Sequence, residues 1–162
     1  MDETPFIPFR FRVELTPPGR SEPLCRGAFS EVSGLEATMT VKALAEGGRN
    51  WGEVQLSGPV RFAPVVLKRG VTEVDDLYQW FDLVTRQAEY GLRLHGHILV
   101  LAPGGRQPLL TWKLHRALPT RFKGPDLSAT ANQVAIEELH LVHEGLTLQR
   151  HSPAQEEAAT HG

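Results

Sequence analysis

The sequence predicts a mainly β domain carrying one α-helix, and three observations lead there. Phe9, Phe11, Val13 and Leu15 alternate with Arg10, Arg12 and Glu14, the period of a strand with one face buried. Between residues 72 and 90 the apolar positions Val74, Leu77, Tyr78, Phe81, Val84 and Ala88 recur three and four apart, which is helical spacing. Downstream, Leu92, Leu94, Gly96, Ile98 and Val100 alternate with Arg93, His95 and His97. Pro103-Gly104-Gly105 then turns the chain into a stretch with Leu110, Trp112 and Leu114 on one side, so a hairpin is expected.

In chain order, Pro17-Pro18-Gly19 ends the first strand, and Gly27 to Ser33 and Leu35 to Leu44 follow as extended segments. Leu35, Ala37, Met39, Val41 and Ala43 oppose Glu36, Thr38, Thr40 and Lys42 in the second of these. From residue 46 to 64 the pattern breaks. Gly47, Gly48, Gly52, Gly58, Pro59 and Pro64 punctuate a stretch that also carries Trp51, Val54, Leu56 and Phe62. A loop this long has a job when it occurs inside a compact domain, and its apolar side chains need a surface, either on the same domain or on a neighbouring subunit. The helix over 72–90 takes Thr72 as its cap, acids in its first turn and Gly91 at its end. Its polar face presents Asp75, Asp76, Gln79, Asp82 and Arg86, a solvated surface or a docking one.

Residues 119–133 read as a loop leading into "EELHLVHE" at 137–144, where five of eight side chains can ligate a metal or move a proton. A helix would gather Glu137, His140 and Glu144 on one face with His143 alongside; a strand would part the two histidines. Val134, Ala135, Ile136, Leu139, Leu141 and Val142 do not collect on one side at helical spacing, so a strand is expected and the metal face dissolves. His95 and His97 lie two apart on a strand, but Arg93 would repel a cation and no carboxylate lies within that strand. Cys25 is the only cysteine, which excludes an internal disulfide and a cysteine-rich zinc cage, and no nearby histidine activates it. Gly47-Gly48 and Gly104-Gly105 lack the Lys and Ser or Thr of a phosphate loop. No catalytic residue, metal site or cofactor is therefore assigned.

The 162 residues are 41% hydrophobic, enough for one ordinary core, so residues 1–148 are expected to form a single domain and 149–162 a polar, flexible tail. The formal charge is -2, and Lys and Arg are scattered among acids, which argues against a nucleic-acid-binding surface on the isolated subunit. The start of the sequence lacks the basic-then-apolar order of a signal peptide, and the longest apolar run, 98–102, is too short to span a bilayer. Synthesis in the cytoplasm and no membrane binding by the subunit are the expectations. A β-rich chain of this order leaves sheet edges open, and copies joined head to tail can close such edges in a ring.

"FSEVSGLEA" (29–37), "EGGRN" (46–50), "VVLKRGVTEVDDLYQWF" (65–81) and "WKLHRALPTRFKGPDLSATANQVAIEELHLVHEGL" (112–146) together resemble the inner tail tube proteins of contractile phage tails and of extracellular contractile injection systems, which are phage tail-like particles. The likeness runs from Pro5 to Leu146. It implies a two-sheet, barrel-like β-sandwich with a flanking helix. Six copies would form a ring with a continuous β-barrel, and rings would stack into a hollow tube inside a sheath and be driven through a target envelope. The implied partners are further copies of the chain, a sheath protein, baseplate or hub and tube-terminator proteins, and an effector or DNA in the lumen, in a particle that can be released extracellularly.

The same resemblance assigns ring contact and stacking to Glu46, Gly47, Gly48, Arg49, Asn50 and Trp51, with Leu56 and Phe62 as apolar anchors. Glu36, Thr38, Thr40 and Lys42 would line the lumen, and Asp75, Asp76, Gln79 and Asp82 would face the sheath. It leaves open whether the chain is the repeating subunit or a tube-initiating, baseplate-proximal ring. The rivals are a zinc hydrolase built on His140 and His143, and a monomeric ligand-binding β-barrel.

Overall fold

The structure, a computed structural model, describes residues 10–48, 51–104, 107–130, 132 and 134–151. Its elements are β1 (Phe11–Thr16), β2 (Cys25–Ala28), β3 (Glu31–Ser33), β4 (Ala37–Leu44), β5 (Val54–Phe62), β6 (Val65–Gly70), α1 (Asp76–Thr85), β7 (Leu94–Leu101), β8 (Pro108–Lys123), β9 (Ile136–Val142) and β10 (Gly145–Arg150). Eight strands form one sheet in the order β2-β1-β7-β8-β9-β6-β3, with β10 also on β8; β4 and β5 pair only with each other. All pairings are antiparallel.

Strand β8 is the spine. Its first half pairs with β7 and β10 and its second half with β9, and between them Arg116 takes a positive φ of 51° that turns the strand from one half-sheet to the other. Val13, Leu15, Leu94, Ile98 and Leu114 from one half and Val65, Leu67, Leu139 and Leu141 from the other share a single core with Leu77, Trp80 and Val84 of α1. At about 25 cal/mol per Å² of apolar area removed from water, that shared core holds the two halves and the helix together. The end strands β2 and β3 do not pair with each other, so the sheet does not close into a barrel within one subunit.

Several elements differ from the sequence reading. The expected loop over 46–64 holds β5, because Gly58 and Pro59 sit in a bulge opposite Thr40 instead of ending the strand. The helix is shorter than 72–90. The Thr72 hydroxyl accepts from the Val74 amide in a turn before the helix, and Ala88, at φ 59°, lies in the left-handed region beyond its end. Its inward residues are Leu77, Trp80 and Val84, while Val74 and Tyr78 are exposed. Gly27 to Ser33 splits into β2 and β3, which join opposite halves of the sheet. Residues 119–123 belong to β8, with Pro119 at a register shift against β9. Strand β10 runs to Arg150, past the expected domain edge at 148.

Strand β9 settles the opening ambiguity of "EELHLVHE". Glu137, Leu139 and Leu141 point inward while Glu138 and His140 face out, and His143 follows the strand with its Nδ1 on the Gly145 carbonyl at 2.9 Å. The helical metal face does not form. Among the described residues, no group of three His, Cys, Asp or Glu side chains is arranged to hold a metal ion, and no helix is long and apolar enough to cross a membrane.

Candidate assembly interface

The β4–β5 hairpin is where the subunit is incomplete. All eight residues of β4 are exposed, and the outer edges of both strands lack a ladder partner among the described residues. Bare strand edges present unpaired amide and carbonyl groups, and exposed apolar side chains present area that water disfavours. Met39, Val41, Leu44, Leu56 and Val60 are all more than 40% exposed.

The bulge explains why both faces of this hairpin are apolar. Ahead of it, Ala37 opposes Phe62 and Met39 opposes Val60 on one face. The extra residue at Gly58–Pro59 shifts β5 by one, so Leu56 and Val54 oppose Lys42 and Leu44 on the other face. A side chain at Gly58 would fall on the Thr40 carbonyl oxygen, which makes glycine a requirement of the bulge. At the base, Gly34 has φ 89° and its missing side chain leaves room for the Pro64 carbonyl, while the Ala63 amide donates to the Glu36 carbonyl at 3.1 Å. The Phe62 ring packs on His143 with centroids 5.1 Å apart, tying the hairpin to the body.

Of the residues expected at ring contacts, Leu56 and Phe62 lie on β5, Glu46, Gly47, Gly48 and Trp51 lie in the turn between the strands, and Trp51 is 94% exposed. Arg49 and Asn50 lie outside the described residues. Of the expected lumen residues, Thr38, Thr40 and Lys42 share one face of β4, but Leu44, Val54 and Leu56 share it too, so that face is not purely polar. Glu36 precedes the strand, with its carboxylate 3.5 Å from the Thr38 hydroxyl.

The expected acidic docking face of α1 needs correction at two positions. Asp76 turns inward and pairs with Arg69, which also donates to Glu137 at 2.5 Å. Asp82 pairs with Arg86 at 3.0 Å and is largely covered. Only Asp75 and Gln79 remain as an exposed pair, bonded to each other at 2.7 Å. Sequence reasoning missed the Arg69 cluster, whose members come from β6, α1 and β9; the one available hint was an arginine at an inward position of the β6 alternation. The same cluster covers Cys25. Burial pushes its thiol pKa up, Asp76 adds to the shift and Arg69 opposes it, so the thiol is held protonated and inert.

A model of the T4-like virus tail tube protein gp19 family matches residues 7–147. The chain belongs to this tail tube family. It is a structural tube subunit of a tail or tail-like particle. A chain in the cryo-EM structure of the anti-feeding prophage baseplate, 6-fold symmetrised, is 32% identical with a TM-score of 0.78, covering 92% of this chain and 98% of that one. A chain of the extended PVC sheath–tube complex, an extracellular contractile injection system, shares the fold at 24% identity and TM-score 0.76, covering 92% and 94%. An Hcp protein shares it at 13% identity and TM-score 0.56, covering 88% and 92%. The sequence matches no curated protein.

Proposed function

We propose that this tail tube protein is the repeating subunit of the inner tube of a contractile injection system or contractile phage tail. Six copies form a ring, rings stack into a rigid hollow tube within a sheath, and the tube is driven through a target envelope, carrying an effector or DNA. The observation that carries this reading is the β4–β5 hairpin, exposed along its length, apolar on both faces and open at both edges. A neighbouring copy would cover those faces and extend those edges. Repetition makes the joint strong, because about 2 kcal/mol per contact, multiplied around a ring, is beyond thermal disruption once geometry is fixed. The role is mechanical, and no catalytic step is assigned to any residue.

In this reading Glu46, Gly47, Gly48, Arg49, Asn50, Trp51, Leu56 and Phe62 make contacts between copies. The β4 face bearing Thr38 and Lys42 is the candidate lumen wall, and Asp75 and Gln79 remain as the candidate sheath contact. Synthesis in the bacterial cytoplasm precedes assembly. A second reading, a baseplate-proximal initiating ring, draws support from the higher identity to a chain of a baseplate structure than to a chain of a sheath–tube complex.

Native mass spectrometry across a concentration series separates the possibilities. Hexamers that grow into multiples of six support the repeating subunit, and hexamers that never stack support the initiating ring. A monomer at every concentration, with Met39→Glu and Val60→Glu making no difference, contradicts both.

A further inference from the structure

A groove of about 560 Å³ lies on the outer face of β1, β7 and β8, lined by Arg20, His95, His97, Lys113 and His115 with Glu14 at one side. Strand register builds it: Glu14 on β1 lies opposite His97 on β7, and His97 lies opposite Lys113 on β8. The turn after β1 adds Arg20, and the His95 and His115 rings sit 6.3 Å apart. Five basic groups therefore share one concave surface.

Among the described residues several other cations are held in internal ion pairs, whereas these five groups, like Lys42, Arg61 and Arg121, are not; what sets them apart is the concave surface they share. Lys68 sits between Glu31 and Glu138, Lys123 reaches Glu138, Arg86 pairs with Asp82 and Arg116 with Glu144. Among the described residues none of the five groove side chains has a carboxylate within ion-pair distance, and Glu14 is turned to Arg12 at 3.4 Å. On the β10 side only the Thr147 hydroxyl meets His115, at 3.4 Å; the Arg116–Glu144 pair and His143 complete the charged and titratable surroundings. Burial holds His97 below the ordinary imidazole range, with Lys113, His95 and His115 adding to the shift and Glu14 opposing it. Like charges crowded together in this way are stabilised by an anion placed among them.

We infer that this groove is a docking site for an acidic peptide segment of a partner protein. Arg20 and Lys113 supply fixed positive charge, and the three imidazole rings supply further hydrogen-bonding nitrogens beside them. The complementarity is one of sign: a run of Glu or Asp side chains, extended along the sheet face, meets five donors and one already paired acid.

The test is calorimetric titration of hexaglutamate into the purified full chain. Binding about tenfold tighter at about 0.05 M salt than at about 0.2 M is expected, because exposed charge pairs are screened as ionic strength rises. Lys113→Glu should abolish it, and the triple variant His95→Gln, His97→Gln, His115→Gln should keep weaker binding with the same salt dependence. Arg86→Glu, at the end of α1 and outside the groove, should leave binding unchanged, with circular dichroism verifying the fold of each variant. Binding that ignores salt, or that falls equally in the α1 control, overturns the proposal. Removing residues 152–162, which carry Glu156 and Glu157, is expected to change nothing. A manyfold gain on their removal would show that the groove's acid is the chain's own and would overturn the partner reading.

Discussion

Replacing Arg69 by Met should destabilise the subunit by about 3–5 kcal/mol, the cost of removing one member of a buried ionic cluster. The Arg69 side chain is 6% exposed and bridges Glu137 on β9, 9% exposed, to Asp76 at the start of α1, 13% exposed. It also donates to the Val74 carbonyl at 3.3 Å and lies 5.3 Å from the centroid of the Phe29 ring. Burial works against its charge, yet the bonds to Asp76 and Glu137 outweigh burial and raise its pKa. Met fills similar volume without charge, so the two carboxylates would be left buried without their cation. For a domain of this size the loss corresponds to a fall in Tm of about 10 °C. The measurement is urea unfolding followed by circular dichroism at 25 °C. A companion variant, Arg69→Met with Glu137→Leu and Asp76→Asn, removes the whole charge cluster and should recover most of the loss, because the penalty lies in the orphaned charges. Asn is chosen because the Asp76 carboxylate also accepts from the Arg26 and Leu77 amides. A single variant within about 1 kcal/mol of the parent, or a companion no better than the single variant, would refute the reasoning.

Gly58→Val should force a side chain onto the Thr40 carbonyl and shift the hairpin register, abolishing ring formation in native mass spectrometry while the urea midpoint of the body stays unchanged. Trp51→Ala, at a site 94% exposed, should change stability by less than about 0.5 kcal/mol yet weaken ring stacking seen by sedimentation. Burial lowers the pKa of both His97 and His143 in the folded chain, so folding favours their neutral forms. The stability this gives is complete above the ordinary imidazole value of about 6.5 and is lost as pH falls through it toward the folded values. Urea unfolding at about pH 7.5 and about pH 5.5 should show that loss, and His97→Asn with His143→Asn should reduce it.

The legible parts of the fold are those where one face of a strand is buried and the other wet. Phe11 to Leu15 and Leu94 to Val100 alternate cleanly because each packs one side on the shared core. The β4–β5 hairpin was half legible: β4 alternates, but the Gly58–Pro59 bulge moves the apolar residues of β5 to the opposite face, so no single period runs through Val54 to Phe62. Around α1 the inward residues Leu77, Trp80 and Val84 compete at similar spacing with the exposed Val74 and Tyr78, Phe81 lies partly buried against the core, and only the position of β8 decides which side faces in. The inward turn of Asp76 left no local trace, because its cation comes from β6 and the cluster's other acid from β9. Five basic groups in one groove were equally hidden, since register across three strands and a turn brings them together. The assembly surface was legible as a need, because a stretch with Trp51, Leu56 and Phe62 must lie on something, while its shape depends on a strand pairing that glycine and proline disguise.

The most direct test of the account is a cryo-EM reconstruction of the purified full chain at a concentration where it assembles. Rings of six copies, with the β4–β5 hairpin of each covered by a neighbour and its open edges extended by the neighbour's strands, are the predicted result. Rings in which Met39, Leu56 and Val60 remain open to solvent, or particles that stay monomeric at every concentration, would contradict it.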